Sequence, residues 1–197
     1  MLNRLAIAIV LAWGYPALAA DPAPADTAPA PEAEEKAQSM TVTSDYVHGW
    51  KKFPQVLERR VDAPGQLNIK AQPGRVTVIY FLSSHCLPCQ RIMERYLRIV
   101  DRFRDLHTDF YYVFLNDTVK DATGFTKEYG LQNAARANLS SRKYREAFHA
   151  QTVPMIYVGD RHGWLATRYP MTYGNAERIG DAELDDLENL LLYLTSY

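Results

Sequence analysis

The stretch from Val76 to Phe103 constrains this chain most. Val76 to Leu82 is an unbroken apolar run of β-branched and aromatic residues, the pattern of a strand buried on both faces. Ser83-Ser84-His85 follows, then Cys86-Leu87-Pro88-Cys89. After Cys89, apolar residues recur at Ile92, Met93, Tyr96, Leu97, Val100 and Phe103, a helical spacing with one buried face. The 2 cysteines of the chain therefore stand where a buried strand turns into a helix.

That placement has chemical consequences. A disulfide between Cys86 and Cys89 closes a very small ring and removes little chain entropy, so it is a poor staple. It is a good reversible switch, because the sulfurs stay within reach of each other. Cys86 falls at the first turn of the helix, where unpaired N–H groups and the positive dipole end favour a thiolate. Pro88 suits that first turn because its missing N–H costs nothing there. Cys86 is expected to be the exposed, low-pKa nucleophile, and Cys89 the buried resolving thiol. A structural zinc site and a structural disulfide are the alternatives. Zinc needs two further ligands, and His48, His107, His149 and His162 are scattered without a ligand pattern.

With Thr152-Val153-Pro154 opening the strand Met155–Val158, the CxxC motif resembles the thioredoxin superfamily. The resemblance covers roughly Leu67 to the end. It implies an α/β fold: a thioredoxin-like mixed sheet flanked by helices, with an N-terminal extension and a central strand–helix insertion. It implies that Pro154 is cis, packs against the CxxC and, with Val153, meets an incoming substrate peptide. The separation of Cys89 from Pro154 exceeds that of plain thioredoxin. The strand Phe110–Asn116 and a helix ending near Gly130 fill it, as in the exported TlpA/ResA group.

The sequence also departs from that family. The buried acid of thioredoxin is replaced by Tyr80, and the glutamate common in the TlpA/ResA group by Ile92. His85 stands where an aromatic residue is usual. Protonated beside Cys86, it would stabilise the thiolate and make the pair more oxidising; the alternative is an exposed loop histidine without a partner. His85, Leu87 and Pro88 are thus the expected tuning residues. Ser83 and Ser84 read as small loop residues, and Tyr80, Phe81, Tyr111 and Tyr112 as core.

Residues 1–19 read as a secretory signal: Arg4, an apolar Leu5–Trp13 and the small-x-small Ala17-Leu18-Ala19. The apolar stretch is short and broken by Gly14 and Pro16, which argues against a membrane anchor. Residues 20–39, rich in Pro, Ala and Glu, read as a disordered linker, and 40–197 as the thioredoxin-like domain. Phe53, Val56 and Leu57 join Tyr46 and Trp50 in an amphipathic segment. Leu67–Ile69, between Pro64-Gly65 and Pro73-Gly74, reads as an edge strand of a short hairpin. Ser140-Ser141 caps an expected helix over Arg142–Phe148. Asp181–Tyr197 reads as a closing amphipathic helix.

The formal net charge of −1 and the lack of a basic run exclude nucleic acid as an expected partner. The family resemblance implies a periplasmic thiol–disulfide oxidoreductase without organic cofactor or metal. Its partners would be client thiols or disulfides and an upstream membrane redox partner. A dedicated assembly factor for cytochrome c maturation or for a secretion or conjugation system is a narrower version. A copper-handling protein on the same fold is the rival from another class.

Overall fold

The computed structural model describes residues 51–137, 148, 152–169 and 179–196. These form one mixed sheet of 7 strands in the order β2-β1-β5-β4-β3-β6-β7. The strands are β1 (Val56–Arg60), β2 (Gln66–Ile69), β3 (Val76–Leu82), β4 (Thr108–Leu115), β5 (Ala134–Ala137), β6 (Met155–Gly159) and β7 (Leu165–Tyr169). The described helices are α1 (Leu87–Phe103), α2 (Val119–Tyr129) and α3 (Asp181–Thr195). The central strands β3, β4 and β5 are parallel, and antiparallel pairs extend the sheet on both sides.

The period of two in β3 builds the core. Val76, Val78, Tyr80 and Leu82 face one side, with Phe110, Tyr112 and Phe114 of β4 and the apolar stripes of all three helices. Ile79 and Phe81 face the other, with Tyr111, Val113, Tyr157, Phe53 and Phe148. Every residue of β3 is therefore buried, as its uninterrupted apolar run requires. Gly159 lets Phe53 lie across β6, because a Cβ there would stand 2.5 Å from the Phe53 ring.

On α1, Ile92, Met93, Tyr96, Ile99 and Phe103 are buried, whereas Leu97 and Val100 are only half-buried. Arg95 reaches from α1 to Asp181 and Asp185, and Arg102 to Glu188, so α1 and α3 are also joined by ion pairs at the surface. Exposed pairs of this kind contribute little; the buried leucines of α3 carry the packing. Tyr96 is fully covered beside the Tyr80 ring, at 4.7 Å between centroids, and its hydroxyl finds no partner among the described residues. Tyr96→Phe should therefore be neutral or raise unfolding stability by up to ~1 kcal/mol, since it removes an unpaired buried hydroxyl. Urea denaturation of both proteins checks this.

Some expectations need correction. The short helix expected around Phe125 to Tyr129 does end on Gly130, at φ 63°, but it is longer: it begins at Val119, capped by the Thr118 hydroxyl on the Asp121 N–H. The preceding strand stops at Leu115, because Asn116 turns into positive φ at 63°. Val56 and Leu57 belong to a strand, not to a generic amphipathic segment, and the β1–β2 hairpin turns at Pro64-Gly65 as expected. Leu57 is half exposed rather than packed. β5 was not anticipated at all. The helix expected over Arg142–Phe148, and Tyr46 and Trp50, lie outside the described residues except for Phe148.

Candidate active site

Three strand ends converge on the CxxC. The last residue of β3, Leu82, pairs with Phe114 of β4, so the chain beyond β4 runs alongside Ser83–His85. On the other side Phe81 pairs with Met155, one residue after Pro154. The Val153–Pro154 peptide is cis, as the family resemblance implied. Val153 and Cys86 are both half-buried at the rim of the cluster that contains Cys89.

Cys86 and Cys89 form a disulfide, with their Cα atoms 5.2 Å apart. Cys86 is the N-cap of α1 and Pro88 its second residue. Since Pro88 has no N–H, the donor that meets the Cys86 sulfur is the Cys89 N–H, at 3.1 Å. That contact sits where negative charge would appear on Cys86 once the disulfide opens. Cys89 is wholly covered. Cys86 is half-buried rather than openly exposed, because the capping contact turns its sulfur toward the helix. Leu87 between them is 63% exposed, an apolar side chain presented beside the sulfurs.

The loop that carries Cys86 is held by a residue the sequence reading passed over. Asp117, just after β4, is 3% exposed. Its carboxylate accepts the Ser83 hydroxyl and the Ser84 N–H, both at 2.6 Å. Ser83 in turn accepts the His85 N–H through its hydroxyl and the Cys86 N–H through its carbonyl. Gln90 of α1 donates to the Ser84 carbonyl at 2.7 Å. Ser83 and Ser84 are thus anchor points, not merely small loop residues. An acid at the carboxyl end of a strand adjacent to the CxxC strand was the available signal, because loops there build sites in parallel sheets.

Tyr80, in the position of the thioredoxin acid, is core as expected. It also reaches the site: its hydroxyl donates to the Cys89 carbonyl at 3.3 Å. Burial pushes its phenol far above the ordinary range, so it stays a neutral donor. His85 is not a loop histidine without a partner. Its Nε2 faces Asp121 of α2 at 3.5 Å. The Thr118 hydroxyl, opposed by partial desolvation and helped by His85, holds the Asp121 carboxyl below its usual range.

Between this loop and α2 lies a groove of about 400 Å³, bordered by Ser84, His85 and Gln90 on one side and by α2 from Lys120 to Tyr129 on the other. Among the described residues no group of three or more His, Cys, Asp or Glu side chains is gathered as a metal site would need. No described helix is long and apolar enough to cross a membrane.

The mixed sheet, the helix-capping CxxC and the cis proline that precedes β6 define a thioredoxin-like fold. No protein-family model matches the sequence, and no curated protein matches it. Solved structures do. A thioredoxin-family thiol:disulfide interchange protein from Chlorobium tepidum superposes with a TM-score of 0.58 at 14% identity, covering 74% of this chain and 97% of that one. The solution structure of a thiol:disulfide interchange protein from Bacteroides sp. gives 0.60 at 15%, covering 77% and 91%. The thioredoxin domain of a thiol-disulfide oxidoreductase from Bacteroides vulgatus gives 0.55 at 15%, covering 74% and 99%.

Proposed function

We propose that this protein is a thiol–disulfide oxidoreductase that exchanges disulfides with client proteins through Cys86 and Cys89. The observation that carries the reading is the unequal pair: a half-buried Cys86 capping α1 with a backbone N–H on its sulfur, bonded to a wholly covered Cys89. A staple has no use for that asymmetry; an exchange reaction does.

In the oxidising direction a client thiolate attacks the Cys86 sulfur. The Cys86–Cys89 bond breaks, its electron pair leaves on Cys89, and a client–Cys86 mixed disulfide forms. A second client thiolate then attacks the client's own sulfur and releases Cys86. The client has lost two electrons and the protein has gained them as a dithiol. In the reducing direction the steps reverse, and Cys89 resolves the mixed disulfide. Val153 and Pro154 offer backbone to the client, while Leu87, Pro88 and His85 set the stability of the Cys86 thiolate. We place this work in the periplasm, after export directed by the signal-like residues 1–19, with an upstream membrane redox partner restoring the working state.

Cys89→Ala tests the mechanism. With no resolving thiol, Cys86 should accumulate as mixed disulfides with client proteins, visible as reductant-sensitive bands on non-reducing gels. If the variant, expressed in an oxidising compartment, forms no such adducts, the mechanism is wrong.

A further inference from the structure

We propose that the groove between the Cys86 loop and α2 is a client-docking surface that selects polypeptide with a basic residue a short way from its reactive cysteine. This rests on the oxidoreductase reading and extends it. Gly124, Phe125 and Glu128 stand three, four and seven residues after Asp121, so the four share one face of α2. That face borders the groove. Phe125 is buried and stacks on Tyr129 at 4.5 Å, giving a firm apolar floor.

Gly124 makes this face a saddle. It is exposed, and a Cβ built on it meets nothing within 4 Å. Gly is a poor residue inside a helix, by about 1 kcal/mol against Ala, and packing does not demand it here. An open gap between two acidic side chains is what an extended chain needs in order to cross.

Charge then indicates what crosses. At the end near the disulfide, Asp121 is engaged by His85 and feels Lys120. At the far end Glu128 enters no salt bridge among the described residues. Asp121 and Glu128 are seven residues apart, about 10 Å along the helix. An extended chain covers that in about three residues. Cys86 follows His85, which meets the Asp121 end, so a client with its cysteine there needs slightly more than that length, and a Lys or Arg about four residues away would meet Glu128.

The test uses the full chain with Cys89→Ala, which leaves Cys86 alone. Cysteine peptides bearing Lys or Glu about four residues before or after the cysteine, and glutathione, are supplied as mixed disulfides with thionitrobenzoate. Cys86 attacks the peptide or glutathione sulfur and releases the thionitrobenzoate anion, whose colour gives the rate. Glu128 should favour the better-placed Lys peptide over its Glu counterpart by about threefold, and Glu128→Lys should reverse that order. Gly124→Leu should slow peptides by about tenfold while leaving the glutathione rate unchanged and raising the melting temperature, since a helix former replaces an exposed mid-helix glycine. Equal slowing of glutathione and peptides, or of neither, overturns the docking surface alone. No release even with glutathione overturns the oxidoreductase reading as well.

Discussion

Cys86→Ala should reduce disulfide exchange to the uncatalysed rate, in both directions and with every client. Cys89 cannot take over. It is wholly covered on the inner face of α1, whereas Cys86 reaches the rim of the core, and a thiol that no client sulfur can approach in line does not exchange. The two single variants should therefore differ in kind. Cys89→Ala keeps the first half of the reaction and stalls as an adduct; Cys86→Ala has no first half. Insulin reduction, or reoxidation of a reduced model protein, measures the loss. The same assay separates an exchange enzyme from a protein whose disulfide is only structural, for which either variant would alter stability and neither would alter turnover. The direction of flow follows from the potential of the pair. About −270 mV marks a reductant and about −120 mV a disulfide donor.

Asp117→Ala should be the most costly substitution of a polar residue near the site. The buried carboxylate accepts two short hydrogen bonds from Ser83 and Ser84. Charge-assisted bonds of this kind contribute about 1.5–3 kcal/mol each, and removing the acceptor strands the Ser84 N–H. We expect a loss of about 2–4 kcal/mol in urea denaturation. Asp117→Asn, which keeps one carbonyl acceptor, should recover roughly half of it. The loop also sets where Cys86 stands over the helix terminus. Exchange by Asp117→Ala should thus fall even at temperatures where the variant is fully folded. Normal exchange in a folded but less stable protein would restrict Asp117 to a stability role.

The difference between what was legible and what was not lies in sequence distance. β3 and α1 announce themselves because their signals are local: a continuous apolar run, a helical stripe, and a proline near the helix start. Pro154 was legible through resemblance, since nothing local separates it from an ordinary strand-opening proline. β5 was not legible. Ala-Ala-Arg-Ala has no β-branched or aromatic residue, and it is a strand because β4 offers an open parallel edge beside it and β1 closes the other side. The early start of α2 was obscured by Thr118 and Asp121, which read as loop residues until the cap is seen. Asp117 stands 34 residues from Ser83. Only the parallel register of β3 and β4 brings them together, and no spacing rule along the chain encodes that. His85 was singled out, but its partner Asp121 was not, for the same reason.

The complete burial of β3 has a further consequence, for how the molecule can move while it works. A strand covered on both faces and paired on both edges belongs to the most protected part of a fold, where amide hydrogens exchange only when the whole domain opens. The loop bearing Cys86 leaves directly from that strand, and α1 packs back over it. Local breathing near the active site is therefore confined to the Ser83–Cys86 loop, and does not reach the bed on which Cys89 lies. In the exchange proposed above, a client would disturb the upper sulfur without loosening the lower one, and electrons would enter and leave through a single atom on an otherwise stationary frame.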